Sequence, residues 1–439
     1  MTDVQWSAPV AHGPIDAHVS IPGSKSLTNR WLVLAALAAA PTRLIGALAS
    51  RDSRLMIDAL SQLGARFEAD GEALVVHPLA APEADAGPLE VHCGLAGTVM
   101  RFVPALAALS GRRVTFTGDA GALVRPMAPL LSALDQQGVS VAFHGREGYL
   151  PFTVHGPGAL PGGLVSIDAS ASSQFVSGLL MAGVRAASPL TVRHVGADLP
   201  SLPHIAMTLA LLNEVGVQTS HTVIDGVHEW TVHPIAFTVG DIVVEPDLSN
   251  AGPFLAAAMV AGGTVSIAHW PHTTTQPGDE FRRILPLMGA SVERVGDDME
   301  LTGTGTLRGI DIDLSAVGEL TPTIAALAAL ADSPSHLRGI KHLRGHETDR
   351  VHALAVELGK LGARVVEHEG SLEIDPAPLG ATVFETYEDH RMATAAAIIG
   401  LRVPNMRVVN VATTQKTIPD FVGMWMSMLH TEKLAGQTW

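Results

Sequence analysis

Lys25, Ser26 and Arg30 lie within six positions of one another in Pro22-Gly-Ser-Lys-Ser-Leu-Thr-Asn-Arg30. A turn signal, hydroxyls, an ammonium and a guanidinium open onto an uncharged run, residues 31–40, that reads as a buried helix. Free N–H groups, the helix dipole and positive charge together favour an anion at such a mouth. A nucleotide P-loop is the alternative for Gly23-Ser-Lys-Ser26, but the Gly-x4-Gly-Lys-Ser/Thr spacing is absent.

Further polar mouths follow along the chain. Gly94-Leu-Ala-Gly97-Thr-Val-Met-Arg101 has glycines that let backbone approach a ligand closely. Arg125 stands before Pro126, a residue suited to starting a helix. Ser172, Ser173 and Gln174 offer hydroxyls and an amide where a plain N-cap needs one group, and Ser201 and His204 come later. Asp247-Leu-Ser-Asn250 reads mainly as a cap, and Glu319 alone would be a dipole-favoured one. Arg344-Gly-His346-Glu347-Thr-Asp349-Arg350 crowds charge into seven residues, which by itself suits an exposed loop. Arg391 again opens an uncharged run, and Lys416 precedes the final helix-like stretch. Singly, each has a plain structural role. Together Lys25, Arg30, Arg125, Arg350, Arg391 and Lys416 can neutralise two phosphates and a carboxylate, with Glu319 and Glu347 as acid and base.

The elements that position these residues repeat. Small, apolar, uncharged helix-like stretches occupy residues 32–40, 102–109, 175–182, 254–261, 324–331 and 393–401, at roughly seventy-residue intervals. Each follows a β-like run. A second, amphipathic helix ends in Gly64, Gly138, Gly216, Gly289 or Gly362 and leads into a strand that turns back as a hairpin. The unit is strand–helix–strand–helix–hairpin, six times over, with the last truncated. Two domains of three units follow most simply, with crossovers near Pro22 and near Val239-Gly240-Asp241. The N-terminal strand then belongs with the second half of the chain.

Composition agrees with a large enclosed core: 47% of the 439 residues are hydrophobic and only 16% charged. A net charge of −15 argues against a nucleic-acid or membrane-surface binder. Cys93 is the single cysteine, so no intrachain disulfide forms, and the 20 histidines show no convincing ligand pair for a metal. The start of the chain lacks the basic residues of a signal peptide, and no apolar run reaches the roughly 18 residues of a membrane span. A cytoplasmic monomer acting on small molecules, without metal or organic cofactor, is expected.

The motifs Pro22–Arg30, Leu95-Ala-Gly-Thr-Val-Met-Arg101, Arg125-Pro126, Ser172-Ser-Gln174, Glu347-Thr-Asp-Arg350, Asp389-His-Arg-Met392 and Lys416-Thr417 resemble, in order and spacing, the 5-enolpyruvylshikimate-3-phosphate synthase family. The resemblance covers nearly the whole chain. It implies an α/β fold: a two-domain inside-out α/β barrel of six βαβαββ repeats, three per domain, the enolpyruvyl transferase fold. Residues 1–21 plus 242–439 would form the phosphoenolpyruvate-side domain and residues 22–241 the shikimate 3-phosphate side. It implies transfer of the enolpyruvyl group of phosphoenolpyruvate to the 5-hydroxyl of shikimate 3-phosphate with release of phosphate, through a tetrahedral intermediate. Closure of the domains would exclude water.

Carried over by position, Lys25, Ser26, Arg30, Ser172, Ser173, Gln174, Ser201, Glu319 and His346 would hold shikimate 3-phosphate. Lys25, Gly97, Arg125, Gln174, Arg350, Arg391 and Lys416 would hold phosphoenolpyruvate. Lys25, Glu319 and Glu347 would move protons. Leu95, Phe102, His204 and His346 depart from the commonest family pattern and bear on glyphosate response. The closest enzyme rival, UDP-N-acetylglucosamine enolpyruvyl transferase, typically carries a reactive Cys, sometimes Asp, in a mobile loop a few residues before Arg-Pro. Residues 119–124 contain no Cys, and Cys93 lies elsewhere. A scaffold that binds anions without turnover is a rival of another class, and it would not need Lys25, Glu319 and Glu347 together.

Overall fold

A computed structural model describes residues 5–80, 87–197 and 199–430. The chain forms two compact units: a continuous one, Gly23–Val244, and a discontinuous one, Met1–Pro22 with Glu245–Trp439. Each has its own hydrophobic core.

The continuous unit carries helices α1 (Lys25–Leu37), α2 (Arg51–Gln62), α3 (Gly97–Ala107), α4 (Ala128–Asp135), α5 (Gln174–Gly183) and α6 (Leu202–Glu214). Helices α1, α3 and α5 pack on one another and are buried along nearly their whole length. Leu and Ala dominate α1, which favours helix and costs little side-chain entropy. Close packing needs small residues at the contacts. A Cβ on Gly178 of α5 would come within 2.3 Å of the Arg101 carbonyl oxygen in α3. Helix α2 is amphipathic: it buries Met56, Ala59 and Leu60 and exposes Arg51 and Arg54. Burying a side chain of Leu or Met size contributes about 1.5–3 kcal/mol, so the apolar stripe fixes which way α2 faces.

Among the described residues, three four-stranded sheets accompany these helices, and all have one pattern. In Leu89–His92, Arg113–Thr117, Phe152–His155 and Ser140–Phe143, the first two strands are parallel. The second pairs antiparallel with the far arm of the hairpin that follows it. A parallel pair needs a crossover, and α3 supplies it. The same order runs through Gly163–Ile167, Leu190–His194, Val227–Val232 and Thr219–Ile224.

The discontinuous unit repeats the design with α7 (Leu248–Ala261), α8 (Phe281–Leu287), α9 (Thr321–Ala329), α10 (Arg350–Lys360), α11 (His390–Gly400) and α12 (Phe421–His430). Helices α7, α9 and α11 form its buried centre. Two of its sheets are four-stranded. The sixth has three strands and takes its antiparallel member, Gln5–Ser7, from the N-terminus, against Arg407–Val409.

Two strands pair out of sequence order. Ile15–Val19 precedes α1 yet pairs parallel with Gly263–Ile267, after α7. Asp241–Val243 precedes α7 yet pairs parallel with Thr42–Ile45, after α1. Arg43 reinforces that pairing by bonding Asp241 at 3.0 Å. The second crossing therefore falls after Val244. Residues 242–244, assigned by sequence to the phosphoenolpyruvate-side domain, belong with the continuous unit, where Ile242 and Val243 have their ladder partners and the Val244 N–H donates to the Ile45 carbonyl. Among the described residues, no helix is long and apolar enough to cross a membrane.

Candidate active site

In the continuous unit, Ser24 opens α1 by accepting the Leu27 N–H on Oγ. That leaves Lys25 in the first turn, where its Nζ lies 3.8 Å from Oδ2 of buried Asp52. Asp52 is held in the first turn of α2 by a reciprocal Ser50–Ser53 capping box. Ser26 beside Lys25 is part-buried.

Arg30 lies differently from its neighbours. It is fully buried, and burial pulls its guanidinium down to about 9. It donates to Thr208 Oγ1 at 2.8 Å, to the Ser26 and His204 carbonyls at 3.0 Å each, and to Ser177 Oγ at 3.4 Å. The face of Phe102 covers it at 5.3 Å. With four bonds from a group of five N–H donors, Arg30 chiefly ties α1 to α5 and α6.

Helix α3 opens at Gly97 with no side-chain capping bond from Ala96 to its first-turn N–H groups. Two guanidinium groups crowd this glycine. A Cβ there would stand 2.7 Å from Arg101 Nη1 and 3.2 Å from Arg125 Nη2. Arg101, which motif spacing did not single out as a ligand, donates to Gln174 Oε1 at 3.1 Å and lies over Phe175. Its position four residues after Gly97, one helical turn on, was the available signal. Arg125 donates to the Leu95 carbonyl at 3.2 Å. Its loop is anchored upstream by Asp119, which accepts from Arg51 and faces His92 at 3.3 Å.

Ser172, Ser173 and Gln174 form the start of α5, where Ser172 Oγ accepts the Gln174 N–H at 3.3 Å. Ser201 caps α6 in the left-handed region, at φ 55°, an unfavourable conformation for a residue other than Gly. Its side chain makes no capping bond to the helix.

In the discontinuous unit, Lys416, Glu347, Arg350 and Asp389 form a continuous charged chain. Lys416 Nζ meets Glu347 Oε1 at 2.7 Å, and Arg350 Nη2 meets Glu347 Oε2 at 3.0 Å. Arg350 also grips Asp389, Nε to Oδ2 at 2.7 Å and Nη2 to Oδ1 at 3.1 Å. His346 Nδ1 accepts from Arg350 Nη1 at 3.0 Å, so that nitrogen carries no proton in this arrangement. Burial works against the Arg350 charge. The carboxylates of Asp389 and Glu347, with Glu319 beyond them, outweigh it and hold the guanidinium firmly charged.

Arg391 enters at the second position of α11, after the Asp389 cap. Burial, then the like charge of Arg350, lowers its guanidinium, while Asp247, Glu319 and Asp389 oppose the shift. Glu319 sits in a short 3-10 turn before Pro322, and it is buried. Its charge reaches both Arg350 and Arg391, which sets it apart from a plain cap. Asp389 escapes notice as a site residue in the sequence because an Asp before a helix reads as a cap, which it also is.

Among the described residues no group of three or more His, Cys, Asp and Glu could hold a metal. Cys93 is buried, and burial pushes its thiol up to about 12, far from a reactive thiolate.

A family profile described as EPSP synthase (3-phosphoshikimate 1-carboxyvinyltransferase) matches residues 10–425. A protein of Kocuria rhizophila named 3-phosphoshikimate 1-carboxyvinyltransferase is 53% identical over 440 residues, covering 98% of both chains. One of the same name from Bifidobacterium longum is 48% identical over 437 residues, covering 97% of this chain and 98% of that one. In three dimensions the chain is similar to an EPSP synthase from Acinetobacter baumannii, at TM-score 0.78 and 23% identity, over 97% of this chain and 98% of that. It is also similar to the enolpyruvyl transferase NikO of Streptomyces tendae, at TM-score 0.71 and 19% identity, over 97% and 96%. These two likenesses concern the fold.

Proposed function

The chain belongs to the EPSP synthase family, and we propose on that premise which of its residues carry each part of the reaction. The reaction moves the enolpyruvyl group of phosphoenolpyruvate to the 5-hydroxyl of shikimate 3-phosphate and releases phosphate. In this reading Ser172, Ser173, Gln174, Ser26 and Ser201 hold the acceptor phosphate and hydroxyls, with Lys25 and His346. Arg30 supports them mainly by fixing the α1–α5–α6 contact. Gly97, Arg125, Gln174, Arg350, Arg391 and Lys416 hold phosphoenolpyruvate, with Lys25 touching both substrates.

Glu319 takes the 5-hydroxyl proton as that oxygen attacks C2 of phosphoenolpyruvate, and C3 gains a proton. The ketal phosphate then loses a C3 proton and phosphate. The supporting observation for dividing these steps is that Glu347 is bonded through both oxygens, to Lys416 and to Arg350. Those two bonds fix Glu347 as a carboxylate acceptor, the form that a base needs. Lys25, an ammonium 3.8 Å from its carboxylate neighbour, suits the donor role at C3. The arginines and Lys416 stabilise the departing phosphate and the carboxylate.

A phosphate-release assay tests the reading, with shikimate 3-phosphate or UDP-N-acetylglucosamine as acceptor. Release with the first acceptor is expected, and release with the second alone would overturn it. We place the protein in the cytoplasm as a monomer without nucleic-acid partner, in keeping with its charge of −15. Sedimentation as a dimer would contradict the monomer.

A further inference from the structure

We propose that Glu357 is a positioning residue for the phosphoenolpyruvate-binding arginines, fixing the turn that delivers Asp389 to Arg350 and Arg391. The inference rests on the reading of those arginines given above. Arg350 and Glu357 are seven residues apart on α10, two helical turns, and so share one face. Arg350 grips Asp389 from one end of that face. Glu357 grips residues 385–387 from the other. Its Oε2 accepts the Glu385 N–H at 3.1 Å and its Oε1 accepts the Tyr387 hydroxyl at 2.7 Å.

Glu357 is 0% exposed, and Lys360 supplies its counter-charge. A buried carboxylate is costly unless every lone pair is satisfied, so simple core filling does not account for an acid here. What lies between the two grips does. Tyr387 and Glu388 are both in the left-handed region, at φ 52° and 57°. Two successive side-chain-bearing residues there persist only where the surroundings hold them. Asp389 follows at once. Its N–H donates to the Thr386 carbonyl at 2.8 Å, and its Oδ1 caps the Arg391 N–H at 2.9 Å. Releasing the Glu357 grip lets the strained pair relax and carries the Asp389 carboxylate away from both arginines.

The test is steady-state kinetics with both substrates, alongside the thermal midpoint, on Tyr387→Phe, Glu357→Gln, Glu357→Ala and Arg391→Ala. Tyr387 is 40% exposed, so its Phe variant keeps the ring and the fold. It should raise KM for phosphoenolpyruvate by about three- to tenfold, the scale of one hydrogen bond, with KM for shikimate 3-phosphate within about twofold. Glu357→Ala should raise the first KM by up to about a hundredfold, the scale of an ångström misplacement at a reacting centre. Glu357→Gln should recover most of that loss, since its amide can still accept from Glu385 and donate to the tyrosine oxygen. A lower thermal midpoint with both KM values unmoved in Tyr387→Phe and Glu357→Ala would overturn the proposal. If Arg391→Ala itself leaves KM for phosphoenolpyruvate unchanged, the ligand assignment fails instead.

Discussion

Asp389 holds Arg350 with both carboxylate oxygens, at 2.7 and 3.1 Å, and with one of them also accepts the backbone N–H of Arg391. One fully buried acid thus fixes two arginines that begin different helices. Removing one partner of a buried, hydrogen-bonded pair costs about 3–5 kcal/mol, because the other charge stays buried. Asp389→Ala should therefore lower the urea-unfolding free energy by that amount. A loss below about 1 kcal/mol, the scale of a surface pair, would show that Glu347 alone satisfies Arg350.

Lys25 and Glu347 are assigned opposite duties, and single substitutions separate them. Lys25→Met and Glu347→Gln should each lower turnover by at least about 10²-fold, the scale of lost acid–base catalysis. Rapid-quench mixing distinguishes the two. Glu347→Gln should still form the ketal phosphate and stall there, whereas Lys25→Met should not form it. Near-normal turnover in either variant would remove that residue from the mechanism.

The loop that carries Arg125 gives a pH-dependent signature. Burial tends to raise the Asp119 carboxyl, but hydrogen bonds and charge from Arg51, then His92, outweigh it and hold it below the usual carboxylate range. A depressed folded value contributes stability above the unfolded value of about 4, and that contribution is lost as pH falls through the folded value. The pair is part-exposed, so its worth is under about 1 kcal/mol. The gap in unfolding free energy between the wild-type chain and Asp119→Asn should be constant above about pH 5 and close below about pH 4. A gap that persists in acid would place the effect on something other than this carboxylate.

The helix mouths were legible because only 16% of the chain is charged, so a cluster of charge opening onto an uncharged run stands out. The six-fold unit was legible because each copy repeats the same punctuation by Gly and alternating residues. The crossover near Asp241 was legible too, but not that Ile242 and Val243 stay with the continuous unit, since parallel pairing with Thr42–Ile45 is non-local and leaves no mark on either strand. Side-chain duty was least legible. Arg30 reads from its spacing as an anion ligand at a helix mouth, with no sign in the sequence that it also binds neighbouring helices through Thr208, Ser177 and the His204 carbonyl. Glu357 and Tyr387 sit thirty residues apart, and no local pattern joins an amphipathic-helix glutamate to a turn tyrosine.

Gly97 offers the sharpest steric test of the phosphoenolpyruvate assignment. The first position of α3 tolerates any helix former, so Gly97→Ala carries no backbone penalty and should slightly favour the helix. The new methyl group would meet Arg101 Nη1 at 2.7 Å and Arg125 Nη2 at 3.2 Å. Both neighbours are the far ends of flexible side chains, so they move and the fold does not. The thermal midpoint should therefore stay within a degree or two of the wild-type chain, as expected of a change under about 0.5 kcal/mol. KM for phosphoenolpyruvate should rise by about tenfold, the equivalent of about 1.4 kcal/mol, because Arg125, proposed above to hold that substrate, is displaced from the start of α3. KM for shikimate 3-phosphate should change far less, since Ser172 and Ser173 lie on α5 and its approach. Equal rises in both constants would mean that Gly97 shapes the whole α3–α5 mouth through Arg101 and Gln174, and that Arg125 is not specific to phosphoenolpyruvate.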